Sequence, residues 1–147
     1  MVKLLQQHLA RRVEPARGKR EVLSLDKAWH GLHYLLSGTV EPGPELLSQA
    51  VLGGVDLDDD PEGFSCYGPA RYFRAAQVRV LSEVLHCPEV ETETAARFDP
   101  VAMSRLRIYP GWAQDEEKVW LMDAFRRLRD FYGSAAAQGK AIVTCLV

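Results

Sequence analysis

Apolar residues recur along most of this chain at helical spacing. Val2, Leu5, Leu9 and Val13 predict an amphipathic helix over residues 2–13. Leu25, Trp29, Leu32 and Leu36 follow at steps of four, three and four, which predicts a helix over 26–37 that Gly38 stops. A short apolar segment over 46–52 ends at Gly53-Gly54. Val78, Leu81 and Leu85 give 75–85 an inward face, and 91–96 supplies another helical turn or two. Asp99-Pro100 is a helix start, with the carboxylate as cap and proline at the first turn. The longest helix spans 115–137, with Leu121, Phe125, Leu128, Tyr132 and Ala135 inward and acidic residues at its opening.

Two stretches break that rhythm. Residues 21–25 (EVLSL) alternate as a short strand, and 140–147 (KAIVTCLV) read as a strand buried on both faces. Residues 65–73 turn through Gly68-Pro69 and run into a strand-like ARYF. EPARGKR (14–20) and the acidic stretch 55–64 are loops, and 108–111 is a turn. Helices in this number, beside a strand apolar throughout, bury best as an α/β fold. The expected form is a three-layer α/β/α sandwich around a small, mixed sheet.

Composition narrows this to one folded domain over 1–147. The chain has 147 residues, 47% of them apolar and 26% charged, which excludes a disordered chain and a disulfide miniprotein. The net charge of −2, from 18 basic and 20 acidic residues, gives no field drawing it to nucleic acid or anionic lipid. No stretch approaches the roughly 20 apolar residues of a membrane span, and residues 1–10 lack the apolar core of a signal peptide. Cys66, Cys87 and Cys145 are widely spaced and cannot all pair, so they are expected as reduced thiols in a cytoplasmic protein.

The chemistry-bearing residues fall in two segments. On an uninterrupted helix at about 100° per residue, His30 and His33 lie within roughly 40° and 20° of Asp26. These three then form one polar stripe that could orient a general base, accept an anion or supply ligands to a metal. Set against that, Asp26 is also a ready helix cap, and the histidines are also boundary residues beside the core. In YGPARY, Arg71 follows a proline-stiffened turn where it could hold a carboxylate or phosphate, with Tyr67 nearby. The competing reading pairs Arg71 with an internal acid such as Asp26 or Asp99. Lys27 is a weaker member of the set.

Other features read as structure first. Gly53-Gly54 is a tight turn before it is a ligand approach, since no phosphate-loop pattern surrounds it. The acidic residues Asp56, Asp58, Asp59, Asp60 and Glu62 lack the order of a calcium loop. Tyr109 and Trp112 cover an end of the core or rim a pocket. No metal-ligand spacing is present, so no metal or cofactor is expected.

Read in order, LDKAWHGLHYLL (25–36), AVLGG (50–54), YGPARY (67–72), FDP (98–100) with Met103, and IYP (108–110) with Trp112 resemble the YfbM-like family of uncharacterised bacterial proteins. Phe131-Tyr132, Ala135-Ala136 and Gly139 before the last strand are similar too. The resemblance runs over residues 23–147 and implies a compact three-layer domain with no established activity. It departs at the start, where a brief basic lead-in (about 1–22, with Arg11, Arg12, Arg17, Lys19 and Arg20) implies a missing strand or a shortened chain.

Three functional readings follow. The first is a non-enzymatic module binding a protein or small anionic ligand, as a monomer or weak homodimer, through Asp26, His30, His33, Tyr67 and Arg71. The second is a small hydrolase or transferase with His30 as base, Asp26 orienting it and Arg71 stabilising negative charge. The third treats these polar residues as a structural network.

Overall fold

The computed structural model of the protein describes residues 2–7, 21–57 and 67–147. Its strands are β1 (Val2–Gln7), β2 (Val22–Ser24), β3 (Val55–Asp56), β4 (Arg71–Phe73) and β5 (Ala141–Leu146). Its helices are α1 (Trp29–Ser37), α2 (Leu46–Leu52), α3 (Ala75–Leu85), α4 (Pro88–Ala96), α5 (Pro100–Arg105) and α6 (Glu117–Ala137). The helical stripes are realised: Leu32, Val78, Leu85, Leu121, Phe125, Leu128, Tyr132 and Ala135 are all buried. Gly38 ends α1 in the left-handed region (φ 73°) and donates to the Tyr34 carbonyl. Asp99 caps α5 by accepting from the amides of Val101 and Ala102 at 3.0 and 3.1 Å. Proline at the first turn also starts α4 earlier than its apolar spacing predicts.

The first segment is a correction. Residues 2–7 form a strand, not the start of a helix, and residues 8–13 lie outside the described residues. β1 runs between β2 and β5 and pairs with β5 from Val2↔Leu146 to Gln7↔Ala141. That ladder and the burial of Val2 and Leu4 override a helical spacing that four residues can match by chance. β1 also supplies a strand at the end where one was expected to be missing. The rest of the basic lead-in before Glu21 lies outside the described residues.

The sheet order is β2-β1-β5-β4-β3. Every pairing is antiparallel, which corrects the expected mixed sheet. The strand reads as buried on both faces because β5 is central. It has β1 on one side and β4 on the other. Alternation puts Ile142 on one face, with Val2, Leu4 and Phe73, in the main core. Val143 lies on the other face with Ala70, Tyr72 and Leu57 in a small second cluster. All six helices pack into the main core and none into the second. Among the described residues this is an α/β fold with its helices gathered on one face of the sheet; the expected second helical layer does not appear there.

Candidate functional site

The polar helix stripe is broken at its first residue. Asp26–Ala28 forms a 3-10 turn, not the first turn of α1, and Asp26 has a left-handed backbone (φ 44°). The helical phase that aligned Asp26 with the histidines therefore starts only at Trp29. Asp26 is exposed, caps nothing, and accepts from the Ser24 hydroxyl at 3.0 Å. Lys27 is exposed beside it.

His30 is half-buried and fully engaged. The Tyr109 amide donates to Nδ1 at 3.0 Å, so Nδ1 is the acceptor and Nε2–H donates to the Val40 carbonyl at 3.3 Å. Its ring stacks on Trp29 (centroids 5.0 Å), and Trp29 stacks on Tyr109 (5.9 Å). The lone pair a general base needs is thus held by a backbone amide. His33 is fully buried, 3.4 Å from Ser37 Oγ, and its Nδ1 has no hydrogen-bond partner. Burial lowers its pKa from the usual 6.5, and His30 adds to the lowering. The Glu41 carboxylate and the backbones of Glu41 and Ser48 act the other way, yet they leave Nδ1 unpartnered.

Tyr67 and Arg71 stand elsewhere. They line a half-open hollow of about 150 Å³ with Val2, Val51, Leu52, Pro69, Thr144, Cys145 and Leu146. It sits where β1 and β4 begin, β5 ends and α2 stops. Arg71 Nε donates to Asp56 Oδ1 at 2.9 Å, and Nη1 donates to the Leu52 carbonyl at 2.6 Å. The internal acid is therefore Asp56, rather than Asp26 or Asp99, because β3–β4 pairing sets Asp56 directly opposite Arg71. Thr144 donates to the Gly53 carbonyl at 3.2 Å. Both donors serve the carbonyl end of α2, where positive charge and N–H or O–H groups are favoured. Nη2 of Arg71 and the exposed Tyr67 hydroxyl carry no hydrogen bond among the described residues.

Gly53-Gly54 makes this junction possible. A Cβ on Gly54, whose φ is 113°, would stand 3.0 Å from the Tyr72 carbonyl oxygen and 3.1 Å from Arg71 Cβ. The glycines serve close packing of α2's end on β4. Asp56 was visible only as part of an acidic loop, and Leu52 and Thr144 only as apolar-run members. The glycine pair was the sequence signal for the contact, without its target. Asp58, Asp59, Asp60 and Glu62 lie outside the described residues.

The hollow holds none of Asp26, His30 and His33. The structure brings together two of the five candidates and sets the other three around α1. Trp112 is buried under Gly31, covering the core's end as expected, while Tyr109 stays exposed. The cysteine reading also changes: Cys145 is disulfide-bonded and Cys87 is a free, exposed thiol. Cys66 lies outside the described residues. Among the described residues no helix is long and apolar enough to cross a membrane, and no group of three acidic, histidine or cysteine side chains gathers to hold a metal ion.

Residues 3–145 match the family described as Domain of unknown function (DUF1877). The chain belongs to that family. DUF1877 has no function attached to it, so membership brings no activity to these residues. The fold is also similar to that of a solved structure, the protein of unknown function YfbM from Escherichia coli. The two are 22% identical over all of both chains, with a TM-score of 0.72. No curated protein matches the sequence.

Proposed function

We propose that this DUF1877 domain is a non-catalytic binding module whose ligand site is the Tyr67–Arg71 hollow. One observation carries the reading: among the described residues, neither Arg71 Nη2 nor the Tyr67 hydroxyl, both at a half-open hollow, has a hydrogen-bond partner. A guanidinium edge and a phenol suit a small carboxylate or phosphate group. Asp56 is a tethered carboxylate already on the same guanidinium, and it is more than half exposed. A ligand anion therefore either adds at Nη2 or displaces Asp56 from Nε. The surrounding Val2, Val51 and Leu146 would shelter an apolar body behind that charged head.

The hydrolase or transferase reading needs His30 as base next to Arg71. It gains no support from a ring whose nitrogens both serve backbone groups and which lies outside the hollow. The structural-network reading suits Asp26, His30 and His33, since His30 ties the turns at Val40 and Tyr109 to α1.

The test is an NMR titration with acetate and with inorganic phosphate, followed at the backbone amides of Tyr67, residue 71, Thr144 and Cys145 around the hollow. We expect saturable shifts for one of them, abolished in Arg71→Ala and weakened in Tyr67→Phe. Asp56→Ala should bind several-fold tighter, because the competing carboxylate is gone. Unsaturable shifts, or binding that survives Arg71→Ala, would remove the hollow as the site.

A further inference from the structure

We infer that the disulfide at Cys145 is a redox control on the hollow: oxidised, it holds Tyr67 in the hollow's wall, and reduced, it lets that wall open and weakens anion binding. The last step rests on the reading of the hollow as an anion site. Cys145 and Tyr67 both line the hollow. Cys145 is disulfide-bonded. The chain has three cysteines and Cys87 is free, so the count leaves Cys66, the residue before Tyr67, as the partner. The bond therefore ties one lining residue to the chain neighbour of another.

Cys145 and Tyr67 are held very differently. Cys145 sits in β5, which pairs with β1 from Val2↔Leu146 to Gln7↔Ala141 and with β4 from Arg71↔Thr144 to Phe73↔Ile142. Ala141, Val143 and Cys145 are buried. Two ladders and this burial keep Cys145 in place whether or not it is bonded. Tyr67 belongs to no strand or helix and is 81% exposed. The hydrogen bond it makes among the described residues runs from its amide to the Leu146 carbonyl at 2.5 Å. One backbone bond at an exposed residue opens readily. A covalent tether beside it limits how far the opened chain moves and favours reclosure. Reduction thus acts on the Tyr67 wall and leaves the bonds of Arg71 to Asp56 and Leu52 as they are. The step is thiol–disulfide exchange with a dithiol, which approaches through the half-open hollow that Cys145 lines. One thiolate attacks a sulfur and breaks the S–S bond, and the second thiol releases the mixed disulfide. Two electrons and two protons pass to the chain, which ends with two thiols, and the reductant ends as a disulfide.

Three measurements on the full chain test this. Peptide mapping without reductant should find Cys66 joined to Cys145. Hydrogen exchange at the Tyr67 amide, read by NMR, should become at least about tenfold faster in dithiothreitol, while the β5 amides keep their protection. Titration with acetate and with inorganic phosphate should show several-fold weaker binding in the reduced protein. Cys66→Ser should behave as the reduced protein with or without dithiothreitol, and Cys87→Ser should behave as the wild type. Circular dichroism reports whether each variant is folded. Exchange at Tyr67 needs no ligand: if neither anion binds, the anion site falls, while faster exchange still establishes the redox hold on Tyr67. Another pairing, unchanged exchange at Tyr67 on reduction, or an anion affinity indifferent to reduction overturns the inference.

Discussion

The α1 corner and the Tyr67–Arg71 hollow carry the same kinds of residue and use them differently. At the corner, His30 spends both ring nitrogens on the backbones of Val40 and Tyr109, and aromatic rings close the space around it. At the hollow, Arg71 spends two nitrogens on Asp56 and Leu52, and its third has no partner among the described residues. A polar side chain becomes a candidate for binding by what its remaining valence faces, not by its type. Among the described residues His33 Nδ1 and Arg71 Nη2 both lack a partner, but His33 is sealed in the interior while Arg71 lines an open hollow.

The comparison can be broken at the corner first. Trp112→Ala should cost about 3–5 kcal/mol, as removal of a buried aromatic does, measured by urea denaturation. It should leave anion titration at Arg71 unchanged if the two regions are independent. His30→Ala strands the Tyr109 amide and the Val40 carbonyl and should cost about 1–3 kcal/mol. A loss under a few tenths would mean that solvent replaces both bonds, and the corner would no longer count as a closed network.

Acid separates the regions by a different route. The folded-state pKa of His33 lies below 6.5, so the unfolded chain takes up this proton at higher pH than the folded one does. Its contribution to stability is complete above about pH 6.5, is lost as pH falls from there through the folded pKa, and is constant below it. Each unit of depression corresponds to about 1.4 kcal/mol. Urea midpoints across pH 5–8 should show the decline, and His33→Gln should flatten it. An unchanged decline in that variant would assign the effect to other groups.

The smallest stability effects belong to the hollow. Arg71→Ala should cost about 1 kcal/mol, because its ion pair with Asp56 is well exposed and only the bond to Leu52 is sheltered. Asp56→Ala should cost less than that. Both effects are small beside the changes expected in anion titration, and that contrast distinguishes a binding residue from a structural one. A loss of several kcal/mol in Arg71→Ala would move it into the same class as His30.

Much of the helical architecture was legible. Apolar spacing located α3 and α6 with their inward residues, Gly38 and Asp99-Pro100 marked a stop and a start, and β5 stood out by its continuous apolar run. The site was less legible. Tyr67 and Arg71 were marked by a rigid turn and a cation, but Asp56, Leu52 and Thr144 reach Arg71 or its neighbours only through sheet pairing and the end of α2. The helix-face alignment of Asp26 with the histidines failed because a 3-10 turn opens the segment. Nothing local announces that turn.

Membership of DUF1877, the α/β class and the buried faces of most helices were determined by the chain itself, since propensity, caps and apolar period are local properties that agree with the fold here. Tertiary structure decided the rest: that residues 2–7 are a strand, that the sheet is antiparallel throughout, and which polar atoms end up with no partner. Those outcomes depend on contacts between residues far apart in sequence. A ladder to β5 can outweigh a few residues of helical spacing, and a donor's freedom depends on every group the fold brings beside it.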